Sequence, residues 1–128
     1  MIDLDQGPCA IKRLRGCGCG NEYVSVTPEG DVYPCHQFVG KKEWIMGSVN
    51  DLSLNTEIKD SFAKTTVYTK PECRTCWAKF YCSGGCNANN LEYAGAIKKP
   101  YKLACDLEKK RLECAIMIKA ALADLEIE

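Results

Sequence analysis

The chain has 128 residues, ten of them cysteine, and its 17 Lys and Arg balance 17 Asp and Glu, giving zero formal net charge. A neutral chain lacks the basic footprint that nucleic acid requires, and the short groups Lys12–Arg13, Lys41–Lys42 and Lys109–Lys110–Arg111 have acidic or apolar neighbours, as solvated faces do. No stretch approaches the roughly 18 apolar residues of a membrane span, and the length suits one domain with a modest core.

In chain order, Met1, Asp3 and Asp5 put acid where a secretory leader needs positive charge, and no apolar segment follows. A cytoplasmic location is expected, where thiols stay reduced. Residues 1–16 read as a polar lead-in, with Ile11 and Leu14 as its apolar pair. Residues 22–27 alternate in strand fashion, Pro28–Asp31 has turn chemistry, and Val32–Tyr33 resumes the strand before Pro34 and Cys35. This predicts a β-hairpin ending on a cysteine. Residues 44–49 offer a further short strand, and Asp51 or Ser53 is placed to cap a helix over roughly residues 54–64. Residues 70–100 concentrate Cys, Gly, Asn and Pro, which predicts irregular loops with short helical turns. From Tyr101, the residues Leu103, Leu107, Cys114, Ile118, Ala121 and Leu125 recur at helical spacing and predict one apolar face of a long helix. The expected fold is a small α+β domain: a hairpin, cysteine-rich loops and short helices, and a closing C-terminal helix, organised around metal.

Ten cysteines in a reducing compartment argue for metal before disulfides. The sharpest run is Cys73-x2-Cys76-x5-Cys82-x3-Cys86. A Cys-x2-Cys turn brings two sulfurs to one side, and soft thiolates select zinc, copper(I) or iron–sulfur clusters. Gly84 and Gly85 let backbone approach closely before Cys86, where side chains would crowd a bulky group. A zinc ribbon more usually carries two Cys-x2-Cys pairs, whereas the wider gaps here suit a cube-shaped cluster. A second group starts with Cys17 and Cys19, and the hairpin turn at Gly30 returns the chain to Cys35. Cys9, Cys105 and Cys114 complete the set, so two four-cysteine sites leave two thiols over.

Taken together, Cys17-x12-Gly30-x4-Cys35, then Cys73-x2-Cys76-x5-Cys82-x3-Cys86, then Cys105 resembles the SPASM domain. That domain is the C-terminal auxiliary-cluster module of many radical S-adenosylmethionine enzymes that modify peptides. The stretch Thr27-Pro-Glu-Gly-Asp-Val-Tyr-Pro-Cys-His-Gln-Phe-Val-Gly40 is similar to the maturases that install thioether crosslinks in six-cysteine SCIFF peptides. The resemblance implies two interleaved [4Fe–4S] clusters. Cys17, Cys35 and Cys86 would ligate cluster I, and Cys73, Cys76, Cys82 and Cys105 would ligate cluster II, so Cys86 parts from its near neighbours as in two-cluster ferredoxins. Cys9 and Cys19 compete for the fourth place on cluster I, and Cys9 is preferred because Cys17 and Cys19 are close for one compact cluster. Some thioether-forming relatives leave that place open for substrate.

The resemblance also implies that residues 1–16 lead in from an upstream catalytic barrel, that 17–106 are the SPASM domain, and that 107–128 extend it as a helix. The Cys-x3-Cys-x2-Cys motif that binds a catalytic cluster is absent, since Asn89 stands where its third cysteine would fall. The chain is therefore expected to act within a larger enzyme, with no catalytic residue of its own. S-adenosylmethionine and its cluster would reside in the upstream barrel, and the partner would be a cysteine-rich precursor peptide. The rivals are a zinc-stabilised structural or peptide-binding module and a free-standing ferredoxin-like electron carrier. His36 is read as a satisfied polar group or a donor to a cluster sulfur, Trp77, Phe80 and Tyr81 as cluster shielding, and Cys114 as core packing.

Overall fold

The computed structural model describes Leu4 and residues 9–125. A short helix α1 (Ala10–Arg15) ends at Gly16, whose φ of 74° turns the chain out of the helix. Strands β1 (Ser25–Val26) and β2 (Asp31–Tyr33) then form the expected hairpin, with Ser25 opposite Tyr33 and Val26 opposite Val32. Its turn is closed by Gly30 N–H donating to the Thr27 carbonyl at 2.9 Å, and Gly30 holds φ at 95°.

The sheet continues antiparallel through β3 (Gly47–Ser48) and β4 (Ser53–Leu54), in the order β1-β2-β3-β4. The expected strand over 44–49 is shorter because Lys42–Trp44 form a 3-10 turn. That turn delivers Trp44 to the core. Strand β4 has no apolar alternation, and only pairing with β3 makes it a strand. Helix α2 (Thr56–Ala63) begins two residues later than expected. Its cap is Asn55, whose Oδ1 accepts from the N–H groups of Glu57 and Ile58 at 3.0 and 3.1 Å. Asp51 instead accepts from Ser53 N–H at 2.9 Å within the β3–β4 turn, so neither expected cap serves the helix.

The core is aromatic. Phe38 is fully buried, and its ring centroid lies 5.1 Å from Trp44 and 5.5 Å from Phe62. Burying such a side chain contributes about 3 kcal/mol on transfer. Tyr33, Ala88, Ile97 and the thiols of Cys19 and Cys35 complete the same cluster. Two cysteines of the sequence pattern thus sit at the edge of the apolar core.

Beyond it run three short helices, α3 (Pro71–Arg74), α4 (Lys79–Cys82) and α5 (Asn87–Ala94), and then α6 (Lys102–Leu125). Pro71 opens α3, where a missing N–H costs nothing. Asn90 ties the region together: its Nδ2 donates to the carbonyls of Gly84 (3.2 Å) and Ile97 (3.4 Å), and its Oδ1 accepts from Tyr101 N–H at 3.0 Å.

Helix α6 corrects one expectation. Leu103, Leu107, Cys114, Ile118 and Ala121 are exposed, the side chain of Leu125 lies outside the described residues, and among the described residues of the helix Leu112 is the buried one. At about 100° per residue, the covered positions Ala104, Cys105, Glu108, Lys109, Leu112 and Ala115 lie roughly opposite the expected face. Cys105, on the same side as Leu112, lines the cysteine cavity described next. Cys114 is therefore a surface thiol and not part of the core.

Candidate metal centre

Four of the cysteines line one cavity of about 350 Å³: Cys73, Cys76, Cys82 and Cys105. Cys73 sits buried in α3, and a tight turn (Cys76 N–H to Cys73 carbonyl, 3.1 Å) places Cys76 alongside it. Cys82 ends α4. The chain leaves it through Ser83, Gly84 and Gly85, all at positive φ, which turns the next cysteine away from the cavity. Cys105 comes from the first turn of α6, and Glu72, Lys79, Lys99, Lys102 and Lys109 form much of the rim.

Burial is the largest influence on three of these thiols. It raises Cys73 to about 11, partly offset by the nearby Lys70 ammonium, and it raises Cys82 and Cys105 above the ordinary thiol range. Each also feels its neighbours: Cys73 those of Cys82, Cys105 and Cys76, and Cys105 that of Cys76. As bare thiols they keep their protons at neutral pH. A metal must displace those protons, so binding is coupled to deprotonation. Among the described residues no three His, Cys, Asp or Glu side chains close on a point as the ligands of one bare ion do. The four thiols instead surround a space large enough for a multi-iron cluster, and their soft donor set fits one.

The second group gathers Cys17 and Cys19 from one loop, Cys35 from the end of the hairpin and Cys86 from the turn before α5. Gly18 and Gly20 carry φ of 73° and 74°, which folds the 16–20 segment into a loop. Gly20 N–H donates to the Pro34 carbonyl at 2.9 Å, docking that loop against the end of the hairpin beside Cys35. A side chain at Gly20 would also strike the Phe62 ring, its Cβ lying 2.6 Å from Phe62 Cγ. Within the loop the Cys19 thiol donates to the Cys17 sulfur. This lowers Cys17 to about 6 and, with burial, holds Cys19 far above the usual thiol range. Burial raises Cys35 as well, and the nearby sulfurs of Cys86 and Cys17 add to it. Cys86, just before α5, is exposed, as is Cys17, whereas Cys19 and Cys35 are buried.

Cys9 stands apart from both groups. It is exposed at the start of α1, where its carbonyl accepts from Arg13 N–H at 3.0 Å. His36 is exposed with its Nδ1 at 3.3 Å from the Tyr23 hydroxyl. Trp77, Phe80 and Tyr81 are exposed too, and none of the three lines the cavity, whereas Ala78 does.

Two polar residues that spacing did not single out belong to the site. Asn87 donates through Nδ2 to the Cys19 sulfur at 3.6 Å, and Lys70 lies buried with its Nζ at 2.9 Å from Asn87 Oδ1. Asn87 directly follows Cys86, a position from which a side chain can reach back to a ligand. Nothing in the sequence around Lys70 distinguishes it from the surface lysines.

Among the described residues no helix is long and apolar enough to cross a membrane. No curated protein matches the chain. Residues 17–77 match the SPASM family model, described as an iron–sulfur cluster-binding domain, and that span includes Cys17, Cys19, Cys35, Cys73 and Cys76. Over this span the chain carries a SPASM iron–sulfur cluster-binding domain.

Proposed function

We propose that the chain holds two [4Fe–4S] clusters as the auxiliary-cluster domain of a radical S-adenosylmethionine peptide maturase of the thioether-forming kind. Cluster I is assigned to Cys17, Cys19, Cys35 and Cys86, and cluster II to Cys73, Cys76, Cys82 and Cys105. One observation carries the reading: Cys73, Cys76, Cys82 and Cys105 open on a common cavity, while Cys86 turns away to the group that includes Cys35. A single-metal knuckle built on Cys73, Cys76, Cys82 and Cys86 has no use for that division. The grouping favours Cys19 over Cys9 for the fourth place on cluster I, because Cys19 already touches Cys17 and Asn87.

When bound, such clusters accept electrons, and with four thiolates on each no iron position is left for a substrate sulfur. Cys17 and Cys86 are exposed, so the first site is reached from solvent, as contact with a cysteine-rich precursor peptide requires. Cys17, lowered to about 6, is largely thiolate at neutral pH and is ready to ligate without first losing a proton. Around the second site, Lys79, Lys99, Lys102 and Lys109 stand beside Glu72 and offset the negative charge that four thiolates bring. The hydrogen-abstracting radical chemistry belongs to an upstream barrel of the same polypeptide, and reduced thiols fit a cytoplasmic setting. In domain terms, 1–16 lead in from that barrel, 17–106 form the cluster domain and 107–128 extend it.

Anaerobic reconstitution tests the reading. About eight irons and eight sulfides per chain, with absorbance near ~400 nm, are expected for two four-iron clusters. Stoichiometric zinc without sulfide from the same preparation would sink it and leave a zinc-stabilised module.

A further inference from the structure

The most unusual buried group in the molecule is Lys70. Its side chain is 2% exposed, and Nζ donates to the Gly84 carbonyl at 2.7 Å and to Asn87 Oδ1 at 2.9 Å. Both acceptors are neutral. A buried ammonium held only by neutral oxygens is costly unless opposite charge lies nearby.

That charge is to be found in two directions. Gly84 lies between Cys82 and Cys86 and lines the cysteine cavity, so one hydrogen bond of Lys70 ends on the wall of the second site. Asn87, the other acceptor, donates in turn to the Cys19 sulfur of the first site at 3.6 Å. Burial disfavours the ammonium, and the sulfurs of Cys73 and Cys82 from one group and of Cys19 and Cys86 from the other favour it once they have given up their protons, as they do on binding metal. The pocket is also shaped for this side chain: a Cβ on Gly84 would sit 3.2 Å from both Cδ and Nζ of Lys70.

We propose that Lys70 is a positioning residue shared by the two clusters: one buried cation, placed between the thiol groups, that raises the reduction potential of both. This rests on the assignment of two clusters given above. A cluster held by four thiolates is anionic and gains a further negative charge on reduction, so a fixed cation in a low-dielectric interior favours the reduced form. The Asn87 link adds a hydrogen bond to one ligand sulfur of the first site, a second lever on potential.

The test is an EPR-monitored redox titration of the anaerobically reconstituted chain, with iron and sulfide counted for each sample. The wild type comes first, and failure to find two cluster signals there overturns the two-cluster assignment itself, independently of Lys70. Lys70→Met and Lys70→Gln, fully loaded, are expected to shift both midpoints to lower potential, while Lys70→Arg keeps both near the wild-type values. A fully loaded neutral variant with either midpoint unmoved overturns the shared role. If neither neutral variant loads, Asn87→Asp decides, because it leaves Lys70 in place and sets a carboxylate against its ammonium. Lowered midpoints at both clusters then support the proposal. An unmoved second cluster, or failure of this variant to load as well, overturns it in favour of a purely structural lysine.

Discussion

The two thiol groups use the same ligand type and reach it by opposite routes. The Cys73 group comes from a single stretch, residues 73–105, and its members line one partly open cavity bordered by lysines and Glu72. The Cys17 group is drawn from residues 17–86 and leaves Cys17 and Cys86 exposed. The first arrangement relies on short helices and tight turns. The second relies on the core, since Cys19 and Cys35 pack with Phe38 and Phe62. The two groups thus differ in footing: one lines a cavity made by neighbouring turns, and the other joins the apolar core to an exposed edge.

The sharpest way to break this comparison is Cys76→Ala. It removes a proposed ligand from the Cys73 group, and iron is expected to fall to about four per chain or fewer, with a large loss of thermal stability because metal binding and folding are linked. Unchanged iron with an unchanged melting curve would end the assignment. Next in size is a contrast between Cys19→Ala and Cys9→Ala. Cys19→Ala should lose the first cluster and keep the second, while Cys9→Ala should leave both EPR signals intact. The reverse pattern would return Cys9 to the ligand set. Gly20→Ala follows, at about 1–3 kcal/mol measured by chemical denaturation, since the new methyl meets Phe62 at a backbone φ of 74°. It should disturb the first site more than the second, because the Gly20–Pro34 bond holds the 16–20 loop in place.

Alkylation of the metal-free chain probes the same contrast without changing a residue. Cys17, at about 6, is a thiolate above that pH, whereas Cys73, at about 11, stays protonated until strongly alkaline conditions. Iodoacetamide at pH ~7, followed by peptide mass mapping, should label Cys17 well before Cys73. Equal labelling would show that the Cys19 hydrogen bond does not persist in solution. The smallest effect is assigned to Cys114→Ser. This surface position should show no change in iron content and no measurable shift in melting temperature.

Much of this was legible in the residues. The hairpin was marked by its turn residues, and the long final helix by its period. Spacing alone marked the Cys73-x2-Cys76-x5-Cys82-x3-Cys86 run, and the division of the cysteines into two sets came only with the resemblance to the SPASM domain. Three features were hidden for physical reasons. Strand β4 exists through a partner and has no pattern of its own. The rotation of α6 buries Leu112 and half-buries Cys105, while Leu103 and Leu107 of the more regular apolar stripe stay exposed. Lys70 is anonymous because a buried lysine differs from a surface lysine only in what surrounds it. The closeness of Cys17 and Cys19 counted against Cys19 in the sequence, and what the sequence did not show is that glycines at positive φ on both sides of Cys19 let neighbouring thiols fold onto one another.

The parting of Cys86 from Cys82 has a topological meaning as well. When each group closes on its own cluster, the chain is bridged over 17–86 and again over 73–105, and the two bridged spans overlap between 73 and 86. Each bridge acts on the unfolded chain as a crosslink, and one closing the longer span removes about 4 kcal/mol of chain entropy on a simple loop model. Overlapping bridges reinforce each other, because the first to form shortens the search that the second must make. A pair of metal centres laid side by side along the chain would assemble independently. Interleaved as proposed, they would form a two-part clasp that is hard to fasten halfway.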